Sequence, residues 1–267
     1  MRRTPKLGQH FLKHAWAAAK LAHAVEVQQG DTIVEIGPGK GVLTRELLAR
    51  GPVVAIEKDE ALVRILQETF SEEITAGTLK IIEGDIRDAT PETLGVDAYI
   101  VAANIPYYIT GEIIRQFLTA EKQPRAMALL IQKEVAQRIT SEKESILSLS
   151  VKAYGAPKII AKVSRTHFSP PPSVDSAILA INNISKDFFT GISEEDFFRV
   201  IHAGFAQKRK MLANNLGVVF GKEKALTAIS AAGIDIKARA ENVPLEKWKV
   251  LTLMVTNNSL AVARKFF

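Results

Sequence analysis

Short apolar runs alternate along the first two thirds of the chain with stretches in which apolar residues recur every three or four positions. Ile33-Val34-Glu35-Ile36 is a run of the first kind. It stops at Gly37-Pro38-Gly39-Lys40-Gly41, and Val42, Leu43, Leu47 and Leu48 then fall at helical spacing. The pattern predicts strands at about 32–37, 52–57, 79–84, 98–103, 126–132, 158–163 and 176–181. It predicts helices over 13–25, from 42 to Arg50, and over 60–70, 111–118, 133–140 and 146–154. Alternating strands and helices imply an α/β fold with a parallel sheet covered on both faces. After about Ser185 no strand is clear, and helical periods cover 197–205, 208–216, 222–231 and 245–255. We therefore expect an α/β domain over 1–185 and a small all-helical domain over 186–267. The first twelve residues read as an arm outside the core.

Strand, glycine turn and helix form the opening unit of a nucleotide-binding domain. The turn reads G-x-G-x-G, with Val42 where a dinucleotide fingerprint would put its third glycine. Glu57 follows Gly37 by twenty residues and ends the second apolar run, where an acid can accept both hydroxyls of a ribose. Gly37, Gly39, Glu57, Asp85 and Asn104 all fall at carboxyl ends of predicted strands, the rim where open α/β sheets bind ligands.

Composition narrows the class. The chain has 267 residues, 47% of them hydrophobic, enough for one large core plus a smaller one. No apolar run approaches the roughly 20 residues of a membrane span, and no signal-peptide segment is evident. A cytosolic monomer is expected. Zero cysteines exclude disulfides, thiolate metal sites and cysteine-nucleophile chemistry. His10 and His14 are four apart without a third ligand, so no metal is expected. The net charge is +6, concentrated at the two ends. Arg2, Arg3, Lys6, Lys13 and Lys20 precede the first acid, Glu26, and from Val200 onward there are 11 Lys/Arg against 4 Asp/Glu. That distribution favours a nucleic-acid partner.

In Asn104-Ile105-Pro106-Tyr107 an apolar strand runs into an amide, a proline-rigid backbone and an aromatic ring. Proline fixes φ and biases Ile105 to an extended conformation. The Asn104 amide oxygen and the Ile105 carbonyl can then aim at one point beside the flat face of Tyr107. Two such acceptors and a ring suit the exocyclic amine of an extruded base. A turn with a buried tyrosine is the plainer reading of four residues.

Seven blocks in order, GQHFL, EIGPGKGVLT, IEKD, GDIRD, NIPYYIT, FSPPPSVDSA and GFAQKRKMLANNL, resemble the ribosomal RNA adenine N6-dimethyltransferase family. The best match is its KsgA type, which modifies two adjacent adenines near the end of small-subunit rRNA. The resemblance implies a Rossmann-like S-adenosylmethionine (SAM)-dependent methyltransferase sheet with helices on both faces, plus a helical C-terminal rRNA-recognition domain. It implies SAM contacts from His10, Leu12, Gly37, Glu57, Asp85 and Asn104, with no metal. It places the target adenine on Asn104, Ile105 and Tyr107, and has Phe168 close the other face of the base. It assigns phosphate contacts to Lys208, Arg209 and Lys210, and makes the partner small-subunit rRNA in an immature particle. The chain departs from the family at His10, where Asn is more usual, and at Ile105, where Leu is. Three alternatives stay open: the sister enzymes of large-subunit rRNA, a non-catalytic assembly factor, and a dehydrogenase, which Val42 opposes.

Overall fold

The computed structural model describes residues 10–13 and 15–256. Arg2, Arg3, Lys6 and His14 lie outside the described residues. The chain divides into two compact units. One holds the residues through Gln137 together with Gly155–Ser185; the other begins with Arg138–Tyr154 and resumes at Lys186.

The first unit carries nine strands: β1 (Phe11–Leu12), β2 (Thr32–Ile36), β3 (Val53–Glu57), β4 (Leu79–Glu83), β5 (Tyr99–Asn104), β6 (Met127–Gln132), β7 (Ala156–Val163), β8 (Phe168–Ser169) and β9 (Ser176–Asn182). Its helices are α1 (Ala15–Ala22), α2 (Val42–Leu48), α3 (Glu60–Thr69), α4 (Ser71–Thr75), α5 (Pro91–Leu94) and α6 (Thr110–Thr119), followed by the start of α7 (Lys133–Thr140). Seven strands form one sheet in the order β4-β3-β2-β5-β6-β9-β7. The order steps one way from β2 through β3 to β4 and the other way through β5 and β6. The crevice at this reversal, between the ends of β2 and β5, is the place where such sheets take ligands.

β2, β3, β5, β6 and β9 are buried along nearly their whole length, which is why they read as unbroken apolar runs. The edge strand β7 alternates instead. Its exposed positions include Lys158 and Lys162, and it carries Pro157, residues that discourage pairing with another chain. One strand departs from the expected parallel sheet: β9 runs antiparallel to both β6 and β7. No α-helix connects β7 to β9, and a connection without a crossover helix returns the chain antiparallel.

α1 and α2 cover one face. Ala17, Ala18, Leu21, Leu43 and Leu47 pack there with Ile33, Ala55 and Ala102. Trp16, apolar like the buried residues of α1, is instead exposed and lies 5.7 Å from the His167 ring. α2 starts against the end of α3: a Cβ on Gly41, which has φ +79°, would lie 2.3 Å from the Phe70 ring. The third glycine of the turn therefore serves helix packing rather than a ligand. The described end of the arm is also more integral than expected. β1 pairs antiparallel with β8, placing Leu12 opposite Phe168, and both side chains join the core.

The second unit contains the end of α7, α8 (Ile146–Lys152), α9 (Glu194–Gly204), α10 (Leu212–Phe220), α11 (Lys222–Ala231) and α12 (Leu245–Thr256). The expected cut at 185 is thus only the last of three crossings. Residues 138–154 join the helical unit through particular contacts. Tyr154 donates to Glu194 at 2.5 Å and its ring meets Phe189 at 4.9 Å, while the Glu144 N–H donates to the Glu241 carbonyl at 2.8 Å. The expected helix over 208–216 begins only at Leu212, whose N–H donates to the Ala238 carbonyl. The buried Asn215 amide donates to the carbonyls of Gly204 (2.6 Å) and Gln207 (3.1 Å), which holds the preceding segment as a turn. Lys208, Arg209 and Lys210 stand exposed on that turn rather than on a helix face. Among the described residues no helix is long and apolar enough to cross a membrane.

Candidate active site

At the β2–β5 crevice a pocket is lined by His10, Phe11, Gly37, Gly39, Glu57, Leu62, Asn104, Ile105, Pro106, Tyr107 and Phe168. The glycine turn forms its floor. Gly37 has φ +63°, a conformation L side chains rarely adopt, and the space a Cβ would take is open. The turn is tied down from β3. Glu57 is buried; its Oε2 accepts from Gly39 N–H (3.1 Å), and its Oε1 accepts from the N–H groups of Lys58 (2.8 Å) and Asp59 (3.0 Å). One carboxylate therefore links the turn after β2 to the start of α3.

The opposite wall comes from the end of β5. Asn104 is half-buried, and its Nδ2 donates to the His10 carbonyl at 3.0 Å. That contact docks the arm and leaves Oδ1 as the atom Asn104 presents to the pocket. Ile105 is buried and donates its N–H to the Leu130 carbonyl at 3.3 Å. Pro106, at φ −55°, then turns the chain into the single 3-10 turn Tyr107–Ile109. The Tyr107 hydroxyl shares a 2.7 Å hydrogen bond with the fully buried Ser176 on β9. Burial raises the Tyr107 phenol above its usual range, so it stays neutral through physiological pH.

His10 sits at the mouth, its ring 6.0 Å from that of Tyr107 and its Nδ1 donating to the Pro170 carbonyl at 2.8 Å. Phe168 lines the same pocket but is only 1% exposed and packs in the core, so it acts as a back wall in the free protein. Leu12 borders a second, inner pocket with Phe11, Glu35, Gly37 to Lys40, Val42, Leu43 and Asn104.

Asp85 lies on the same rim but does not line either pocket. It caps the turn after β4 and holds Arg87 (2.5 Å) and Lys58 (2.7 Å). The Arg87 guanidinium, helped by Lys58, keeps the Asp85 carboxyl well below the usual carboxylate range. Lys208, Arg209 and Lys210 belong to the other unit and form no part of the pocket.

Sequence reasoning missed Phe11, Leu62 and Pro106 as lining residues, and it left Glu35 without a role. Leu62 follows the acid Glu57 by five positions on the first turn of α3, a signal that could have found it.

The chain matches the family profile described as ribosomal RNA adenine dimethylase over residues 2–256. It is 41% identical over 259 residues to the ribosomal RNA small subunit methyltransferase A of Dehalococcoides mccartyi, covering 94% of this chain and 88% of that protein. It is 37% identical over 257 residues to the protein of the same name from Moorella thermoacetica, covering 90% and 88%. Among solved structures, a dimethyladenosine transferase from Plasmodium falciparum superposes with a TM-score of 0.78 at 23% identity over 91% of this chain and 96% of that one. The 23S rRNA methyltransferase ErmE superposes at 0.76 with 24% identity over 92% and 100%. Those two likenesses are of fold. The whole-length profile match and the identity to the two bacterial relatives show that this chain belongs to the ribosomal RNA adenine dimethylase family.

Proposed function

We propose that this enzyme dimethylates N6 of two adjacent adenines near the 3′ end of small-subunit rRNA, in the cytoplasm, on a small subunit still being assembled. The observation that carries the reading is one pocket in which Asn104, Ile105 and Tyr107 face Gly37 and Glu57. An amine-binding corner and a ribose-binding corner thus share a cavity, as a methyl transfer between two nucleosides requires.

SAM supplies an electrophilic methyl group on a sulfonium centre. The residues present fit such a cofactor: an open glycine turn, a buried carboxylate at the second strand end, and an unpartnered buried carboxylate in the inner pocket. Glu57 would accept from the ribose hydroxyls, Gly37 and Leu12 would border the amino-acid end, and His10 would cover the mouth. Asp85 would take the adenine amine of the cofactor in place of the exposed Lys58.

The target base enters from the other side. Asn104 Oδ1 and the Ile105 carbonyl accept the two N–H bonds of its exocyclic amine. That pairing would pull the N6 lone pair out of conjugation with the ring, so that N6 could take the methyl group as its bond to sulfur breaks and a neutral thioether leaves. Tyr107 offers a flat face held by Ser176, and Phe168 backs the far side. The N6 proton leaves to water after transfer, so no strong base is needed and positioning supplies much of the rate. Lys208, Arg209 and Lys210 grip RNA phosphates.

Mass spectrometry of rRNA nucleosides tests the substrate. Incubation with SAM and unmethylated small subunits yields N6,N6-dimethyladenosine at two adjacent positions, and large subunits yield none. Product on large subunits alone overturns the reading, as does its absence from both.

A second expectation concerns salt. Replacing Lys208, Arg209 and Lys210 together by Gln weakens binding to small subunits. It also lowers the slope of log affinity against log salt by about 2, at roughly 0.7–0.9 per lost phosphate contact. An unchanged slope removes these residues from the RNA interface.

A further inference from the structure

Glu35 lies in β2 with none of its surface exposed, and neither of its carboxylate oxygens has a hydrogen-bond partner among the described residues. Its cross-strand neighbours are Ala55 and Ala102, which bring no polar side-chain atom. The Thr44 hydroxyl of α2 is also buried, close enough to favour the charged form of Glu35 but without hydrogen-bond geometry to it. Such a group is costly in its charged form unless a cation or several donors meet it. Burial accordingly pushes the Glu35 carboxyl up to about 8; the Thr44 hydroxyl draws it partly back, and the Glu57 carboxylate adds to the rise.

The side chain is not sealed in apolar packing. It lines the inner pocket behind the glycine turn, bordered by Phe11, Leu12, Gly37 and Asn104, and this space shares Phe11, Gly37, Gly39 and Asn104 with the main pocket. The groups facing it are few. β3 contributes Glu57, α2 contributes Thr44, β5 contributes the neutral Asn104, and the turn contributes Lys40. Lys40 is exposed, with its ammonium over the Phe11 ring at 5.6 Å, and it makes no ion pair with Glu35. Among the described residues, therefore, no cation meets this carboxylate. A ligand that reaches the inner pocket from the main one has to bring it.

On the reading that the cofactor is SAM, we infer that entry of its amino-acid end strips the proton from Glu35, whose carboxylate becomes the buried counter-ion of the α-ammonium group. The proton passes to solvent, one for each cofactor bound, and no bond to carbon or sulfur changes. The negative partner and the positive ligand are then each present only when the other is, so the empty inner pocket holds no unpaired charge on Glu35. Cofactor affinity in turn becomes pH-dependent below the neutral range.

The free protein shows the same group from the other side. The native state holds the Glu35 proton to a higher pH than the unfolded chain, so its contribution to stability is full below the ordinary carboxylate pKa. It is lost as pH rises toward 8. Glu35→Gln flattens that part of the stability profile.

Titration calorimetry of the full chain at about pH 6.5, where a free α-ammonium stays protonated, tests the coupling. SAM, S-adenosylhomocysteine and 5′-methylthioadenosine are compared in two buffers of different ionisation enthalpy. Wild-type protein is expected to release about one proton with the first two and none with the third, which lacks the amino-acid end. Affinity for the first two climbs close to tenfold per pH unit between about pH 5.5 and 7. Glu35→Gln binds them without proton release and with a flat profile. Binding by the wild type without proton release overturns the inference alone, as does equal release with 5′-methylthioadenosine or by Glu35→Gln. No binding of SAM or S-adenosylhomocysteine overturns the cofactor reading and the inference with it.

Discussion

Asn104→Ala lowers single-turnover methyl transfer to unmethylated small subunits by about a thousandfold, while its thermal melt stays close to that of the wild type. The size follows from what the side chain supplies. Removing one preorganised hydrogen-bonding group from a site of this kind costs about 10²–10³ in rate. On the proposed reading, the lost acceptor is one of two that would hold the amine of the target base in line. A second loss adds to it. The Nδ2 atom of Asn104 also donates to the His10 carbonyl, so the truncated protein loses a contact that holds His10 at the pocket mouth. Asn104→Asp separates the two effects. It keeps an acceptor toward the base but sets a carboxylate oxygen against the His10 carbonyl, so it retains more activity than the alanine variant at saturating RNA and binds the cofactor less well. Transfer within threefold of wild type by Asn104→Ala removes Asn104 from the reaction.

Glu57→Ala raises the dissociation constant for SAM about a hundredfold. Truncating one partner of a buried, hydrogen-bonded charged contact costs about 2–5 kcal/mol, and about 1.4 kcal/mol is a factor of ten. Glu57 carries two duties. It would accept from the ribose, and it already accepts from the Gly39 N–H, so its loss also frees the glycine turn that the ligand must meet in one shape. Three backbone N–H groups lose their acceptor at once, those of Gly39, Lys58 and Asp59. Glu57→Gln keeps one acceptor oxygen and loses less, on the order of tenfold. RNA affinity is unchanged in both variants, because these contacts lie on the cofactor side. Calorimetry with SAM and filter binding with small subunits give the two numbers. A SAM dissociation constant within threefold of wild type in Glu57→Ala excludes the ribose contact.

Much of the candidate pocket was legible because open α/β sheets take ligands at strand ends, and strand ends are local features. Gly37, Glu57 and Asn104 each close an apolar run, and the structure brings all three to one pocket. Asp85 closes a run as well, yet its oxygens are engaged by Arg87 and Lys58 and it stands outside the pocket. Spacing shows that a residue reaches the rim but not what it touches there. Phe168 illustrates the same limit: the proline loop announced it, but only its pairing with Leu12, more than 150 positions earlier, decided that it is a core residue as well as a pocket wall. Lys208, Arg209 and Lys210 look helical by their neighbours. The side chain of Asn215 overrides that tendency by taking the Gly204 and Gln207 carbonyls.

By itself the sequence determined the kind, order and approximate ends of the sheet strands, the change to helices after about residue 185, and the residues poised at the rim. Each depends on hydrophobic period and on turn chemistry within a few residues. Only the tertiary structure decided the reversed direction of β9, the transfer of 138–154 to the helical unit, the docking of the arm against β8 and the isolation of the Glu35 carboxylate. Each of these is set by contacts between segments far apart in the chain. A side chain's partners, or its lack of any, depend on how those segments pack, which no local pattern records.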